Sequence, residues 1–103
     1  MGEFVRVAST AELPPGTMKG VWVDDEAVAL YNVDGEIFAT SDICSHAHAH
    51  LSEGELCGCT VECPLHGARF DVRTGRQLNL PAVVPVEHYE VKVEGDDIFI
   101  DVG

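Results

Sequence analysis

The stretch Val28-Ala29-Leu30-Tyr31-Asn32-Val33-Asp34-Gly35-Glu36-Ile37-Phe38-Ala39-Thr40 decides the fold class. An apolar, β-branched run from Val28 to Val33 is followed by a second from Glu36 to Thr40, with only Asp34-Gly35 between them. Two residues that tolerate positive φ, at that spacing, read as the tight turn of an antiparallel hairpin. Gly95-Asp96 repeats the signal between Tyr89 to Glu94 and Ile98 to Val102, while Phe4 to Val7 and Val21 to Val23 read as further strands. Only Ser9-Thr10-Ala11-Glu12-Leu13 looks helical, capped by Ser9 or Thr10 and stopped after about one turn by Pro14-Pro15. Short strands divided by Gly, Pro and Asp indicate an all-β chain, a small antiparallel β-sandwich or barrel.

Neither repeat nor linker interrupts residues 1–103, so one domain is expected. A chain of this size buries about two-thirds of its extended surface, enough for one modest core. The hydrophobic fraction of 46% argues against disorder even though 18 acidic residues against 6 basic leave a formal charge of −12. Such a surface repels phosphate backbones and anionic lipid, which disfavours nucleic-acid and membrane roles and favours protein partners with basic faces. No apolar run approaches the roughly 20 residues of a membrane helix. The start, Met1-Gly2-Glu3-Phe4-Val5-Arg6, has no secretory pattern and lacks the Ser or Thr that myristoylation at Gly2 requires, so a cytoplasmic location is expected.

From Ser41 to Arg76 the strand pattern weakens, and there lie all four cysteines and four of the five histidines. Two pairs stand out: Cys44-Ser45-His46, and Cys63-Pro64-Leu65-His66, with 16 residues between His46 and Cys63. Each pair is one thiol and one imidazole on a turning loop, so two adjacent loops would present two sulfurs and two nitrogens. Zinc accepts that set, although zinc fingers usually group cysteine with cysteine and histidine with histidine. A 2Fe-2S cluster with thiolates on one iron and imidazoles on the other suits the alternation better.

The chain resembles the Rieske ferredoxins, small electron carriers of bacterial aromatic-ring dioxygenase systems of the naphthalene, biphenyl and carbazole type. The likeness runs through Ile37-Phe38-Ala39-Thr40, Cys44-x-His46, Leu51-Ser52-Glu53-Gly54, Glu62-Cys63-Pro64-Leu65-His66-Gly67-Ala68-Arg69-Phe70-Asp71 and Thr74-Gly75. It implies the Rieske fold, with a cluster-binding region of two loops at about 41–76. It also implies one 2Fe-2S cluster, its inner iron held by Cys44 and Cys63 and its outer iron by His46 and His66. Two ferric ions, two sulfides and two thiolates are formally neutral, whereas four thiolates would leave two negative charges; the mixed set therefore accepts an electron more readily.

Respiratory Rieske subunits, a related family, join the two loops by a disulfide and aim a Ser and a Tyr hydroxyl at the sulfurs. This chain has Ala49 and Leu65 at the first pair of positions, Ala68 and Phe70 at the second. Fewer donors in an acidic protein place its potential low in the Rieske range, near about −150 mV. The resemblance further implies a soluble one-electron carrier, not itself an enzyme, between an NAD(P)H-dependent flavoprotein reductase and a terminal Rieske non-haem iron oxygenase, and a monomer. A catalytic oxygenase would need a further mononuclear iron site of two histidines and a carboxylate; after cluster ligation only His48, His50 and His88 remain, with no second domain expected to house them. A small subunit of another reductase, such as assimilatory nitrite reductase, and a zinc-stabilised interaction domain are the alternatives.

The remaining features have plainer readings. His48 and His50 are expected to be exposed and unligated, and Cys57 and Cys59 to be thiols in a reducing compartment. Pro64 and Gly67 shape the second loop, and Arg69, Arg73 and Arg76 balance neighbouring acids such as Asp71. Trp22, Tyr31, Phe38 and Phe99 are read as core, and Asp24-Asp25-Glu26 as a solvated turn.

Overall fold

A computed structural model describes residues 3–44, 49–65, 67–79 and 84–101. Ten strands occur among them: β1 (Phe4–Ser9), β2 (Met18–Val23), β3 (Glu26–Val33), β4 (Glu36–Ser41), β5 (Glu55–Cys57), β6 (Thr60–Glu62), β7 (Arg69–Asp71), β8 (His88–Tyr89), β9 (Val91–Glu94) and β10 (Asp97–Asp101). They form three antiparallel sheets, ordered β1-β10-β9, β2-β3-β4-β8 and β5-β6-β7. The helical content among these residues is two single 3-10 turns, Thr10–Glu12 and Leu51–Glu53.

Strand β3 organises the molecule because both of its faces are buried, which is why its sequence is continuously apolar instead of alternating. On one face Val28 and Leu30 meet Ala8, Leu13, Ile98 and Ile100, closing the sandwich between the four-stranded sheet and β1-β10-β9. On the other, Ala29 and Tyr31 pack with Leu51, Val61, Phe70 and Val72 from the segment that carries the small sheet. The Tyr31 hydroxyl lies 2.8 Å from Thr40 Oγ1, and burial pushes its pKa well above the ordinary tyrosine value.

The expected hairpin around 34–35 is present in the register Val33–Glu36, with Asp34 at φ 54° and Gly35 at φ 96° as a type I′ turn demands. Glu94 and Asp97 flank the second. A third hairpin turns at Asp24-Asp25, inside the run read as a solvated turn. Ser9 caps the first 3-10 turn: its hydroxyl accepts from Ala11 N–H while Glu12 accepts from Ser9 N–H.

Two aromatic expectations are corrected. Trp22 is 68% exposed, because Val21 and Val23 take the inward positions of β2 and alternation turns Trp22 outward. Phe99 likewise alternates with the buried Ile98 and Ile100 and lies half-exposed beneath the Lys92 ammonium, 5.4 Å from the ring centre. Tyr31 is fully buried as expected, and Phe38 packs partly buried against the second core.

Candidate metal centre

The two cysteines of the ligand pairs are the buried ones, Cys44 at 3% and Cys63 at 1% exposure, and both belong to the core that contains Tyr31 and Phe70. No disulfide joins any of the four cysteines. Each buried cysteine opens a loop with the same closure. Cys44 N–H donates to Ala49 O at 2.9 Å, and Cys63 N–H donates to Ala68 O at 2.7 Å. In both places the backbone of a buried thiol is tied to the residue five positions further on. The residues between these ties, 45–48 and 64–67, include His46 and His66 in the sequence. His46, His48 and His66 lie outside the described residues.

The elements below the loops explain the positions of the thiols. Strand β4 ends at Ser41, and the 42–44 segment then runs antiparallel to 49–51 through an Ile43–His50 bridge. Cys63 follows β6 directly, and Ala68 precedes β7, so the β6–β7 pairing Glu62–Arg69 fixes the base of the second loop. Between the loops Gly54 crosses the end of β6 so closely that a Cβ there would sit 1.8 Å from Glu62 O. Gly67 adopts φ 71° as the second loop turns back. Leu65, 46% exposed, stands at the tip of that loop.

These surroundings fit a cluster with a sulfur side and a nitrogen side. Two thiols held in an apolar core, Cys44 and Cys63, offer soft ligands from below. Ala49, Ala68 and Phe70 are buried in the same core, so the positions that bear a disulfide half and hydroxyl donors in the respiratory family hold hydrocarbon here. Acids supply the nearby field. A groove reaching Cys44 is bordered by Asp25, Glu26 and Glu87. In it the Tyr89 hydroxyl donates to Glu26, and its pKa is pushed up to about 12 by burial, by that bond and by the charges of Glu26 and Glu87.

Comparison with known proteins supports this reading. Residues 3–90 match the family model of the Rieske [2Fe-2S] domain. The chain belongs to the Rieske family. Its cofactor is accordingly one Rieske 2Fe-2S cluster, and the zinc reading gives way. The chain is 43% identical over 101 residues to the ferredoxin component of a naphthalene 1,2-dioxygenase system from Pseudomonas aeruginosa, covering 98% of this chain and 97% of that one. It is 47% identical over 98 residues to the ferredoxin component of biphenyl 2,3-dioxygenase from Rhodococcus jostii, covering 95% and 92%. Among solved structures, the ferredoxin of carbazole 1,9a-dioxygenase from Nocardioides aromaticivorans superposes with a TM-score of 0.90 at 41% identity, covering 94% and 95%. A chain from the complex of reduced oxygenase and oxidized ferredoxin in carbazole 1,9a-dioxygenase superposes at 0.89 and 36% identity, covering 95% and 92%. Two structures described as nitrite reductase small subunits, at 21% and 24% identity with TM-scores of 0.82 and 0.87, share the fold alone.

Several side chains take places that spacing did not reveal. His50, expected to be exposed and unligated, is partly buried, with Nδ1 2.9 Å from Asp42 Oδ2. Cys57 and Cys59 sit at the β5–β6 hairpin, the first exposed and the second packed partly against the core. Arg73 makes the expected pair with Asp71, at 2.8 Å, and this guanidinium hydrogen bond lowers the Asp71 pKa. Arg69 pairs with Glu62 at 3.1 Å, across the strands beneath the second loop. No helix among the described residues is long and apolar enough to cross a membrane.

Proposed function

We propose that residues 1–103 form a single Rieske domain whose cluster is held by Cys44 and Cys63 on the inner iron and by His46 and His66 on the outer. The region 41–76 is its cluster-binding part. The observation that carries this reading is the matched pair of loops, each opening at a buried thiol and closing on the backbone five residues later. The cluster supplies one-electron chemistry. Cys44 and Cys63 bind from within the core, where Tyr31, Phe70 and Val61 exclude water. Cys44 N–H and Cys63 N–H are spent on the loop closures, so they fix ligand geometry. With His46 and His66 as ligands of the outer iron, electrons enter and leave on the histidine side of the cluster, where Leu65 offers an exposed apolar contact.

The chain then serves as the ferredoxin component of an aromatic-ring dioxygenase system. It carries electrons from an NAD(P)H-dependent flavoprotein reductase to a terminal Rieske non-haem iron oxygenase, as a cytoplasmic monomer. Support comes from relatives named as ferredoxin components over nearly the whole length of both chains, and from the ferredoxin–oxygenase complex to which the fold corresponds. Reconstitution with NADH, a flavoprotein reductase and a terminal oxygenase of a naphthalene or biphenyl system tests it. Product formation should require this chain and follow its concentration. Turnover that is the same without it would overturn the assignment.

A further inference from the structure

Asp42 is nearly inaccessible, at 3% exposure, yet carries a charged group two residues before Cys44. Burying a carboxylate is costly unless donors converge on it, and here three do. Oδ1 accepts Ser52 N–H at 2.7 Å; Oδ2 accepts the Ser52 hydroxyl at 2.8 Å and faces His50 Nδ1 at 2.9 Å. A carboxylate only accepts, so the imidazole N–H points toward it. The Asp42 backbone is equally engaged. Its N–H donates to Ala27 O in β3 at 2.9 Å, and its carbonyl accepts Leu51 N–H at 2.7 Å.

One residue thereby ties β3, the 3-10 turn Leu51–Glu53 and both stems of the first loop. Strand β2 is shaped to admit this knot. A Cβ on Gly20 would lie 2.7 Å from Ser52 Oγ and 3.0 Å from Asp42 Oδ2, and Trp22 sets its ring edge-on to His50 at 6.5 Å. Both the bare position and the outward-facing tryptophan are explained by what lies against them.

We infer that Asp42 is a positioning residue for the cluster: its carboxylate holds the stem that places Cys44, and its negative charge disfavours the reduced state. This rests on the ligand set proposed above. Asp42→Asn separates the two roles. The amide oxygen still accepts Ser52 N–H, while the Ser52 hydroxyl and the other His50 tautomer accept from its NH2 group, so shape survives and charge does not. Asp42→Ala removes both.

The test measures iron, acid-labile sulfide, EPR of the reduced protein and midpoint potential in purified holoprotein. Wild type is compared with both variants and with Asp96→Asn, a charge change in the distant β9–β10 turn. Asp42→Asn should keep its iron and sulfide and shift the midpoint upward by more than Asp96→Asn does. Asp42→Ala should lose a large share of both elements and broaden the EPR signal of what remains. Equal midpoints in Asp42→Asn and Asp96→Asn would overturn the charge role. Wild-type metal content and EPR in Asp42→Ala would overturn the positioning role. If Asp42→Ala does not fold, Ser52→Ala replaces it, with a broadened signal supporting the inference and an unchanged one refuting it. A wild-type protein without iron or sulfide would instead refute the ligand set.

Discussion

At the scale of single residues, what lies near the thiols is as informative as the thiols themselves. Ala68 and Phe70 are fully buried in the core that contains Cys44 and Cys63, and neither side chain offers a donor. Hydrogen bonds to cluster or ligand sulfur stabilise the added electron, so side chains without a hydroxyl at these two positions favour a low potential. Ala68→Ser with Phe70→Tyr should therefore raise the midpoint, which a redox titration followed by circular dichroism reads directly; an unchanged value would mean that the hydroxyls do not reach sulfur. The wild-type midpoint should lie near about −150 mV, and a clearly positive value would contradict this account of tuning. The pairing of Cys44 and Cys63 in one core was foreshadowed by Cys-x-His and Cys-x-x-His, which at this separation have few other uses. The tie between His50 and Asp42 was not, since eight residues of irregular chain separate them and no periodicity links the two.

The strands show the same division. Hairpins at 34–35 and 95–96 were readable from turn chemistry between apolar runs, and the continuous run in β3 followed from burial on both faces. Strands β5, β6 and β7 are three residues each, too short for alternation to register, and they pair only because neighbouring elements fix them. Trp22 was misread because hydrophobicity alone does not state which face of β2 a residue occupies. Gly54 is the point at which these short elements depend on one missing side chain. Gly54→Ala should force Glu62 away and cost roughly 1–3 kcal/mol in chemical unfolding. Leu30→Ala should cost about 2–5 kcal/mol, against roughly 0.5 kcal/mol or less for Trp22→Ala. Similar losses for Leu30 and Trp22 would contradict the two-sided burial of β3.

For the whole molecule, the charge of −12 sets how partners arrive. Long-range attraction to a basic docking face accelerates encounter and is screened over about 8 Å at physiological salt. The bimolecular rate of electron transfer to a terminal oxygenase should fall several-fold as ionic strength rises from low to about 0.5 M. A rate indifferent to salt, measured by stopped flow, would remove steering from the account. Acidity was plain from composition, and the groove of Asp25, Glu26 and Glu87 beside Cys44 adds where part of it is concentrated.

The central claim is that two thiolates and two imidazoles from paired loops hold one 2Fe-2S cluster. It is tested most directly by iron and acid-labile sulfide analysis of anaerobically purified protein, with EPR of the dithionite-reduced form. Two irons, two sulfides and a rhombic signal with the low average g of a nitrogen-ligated cluster are the predicted result. One zinc, no sulfide and no signal would contradict it.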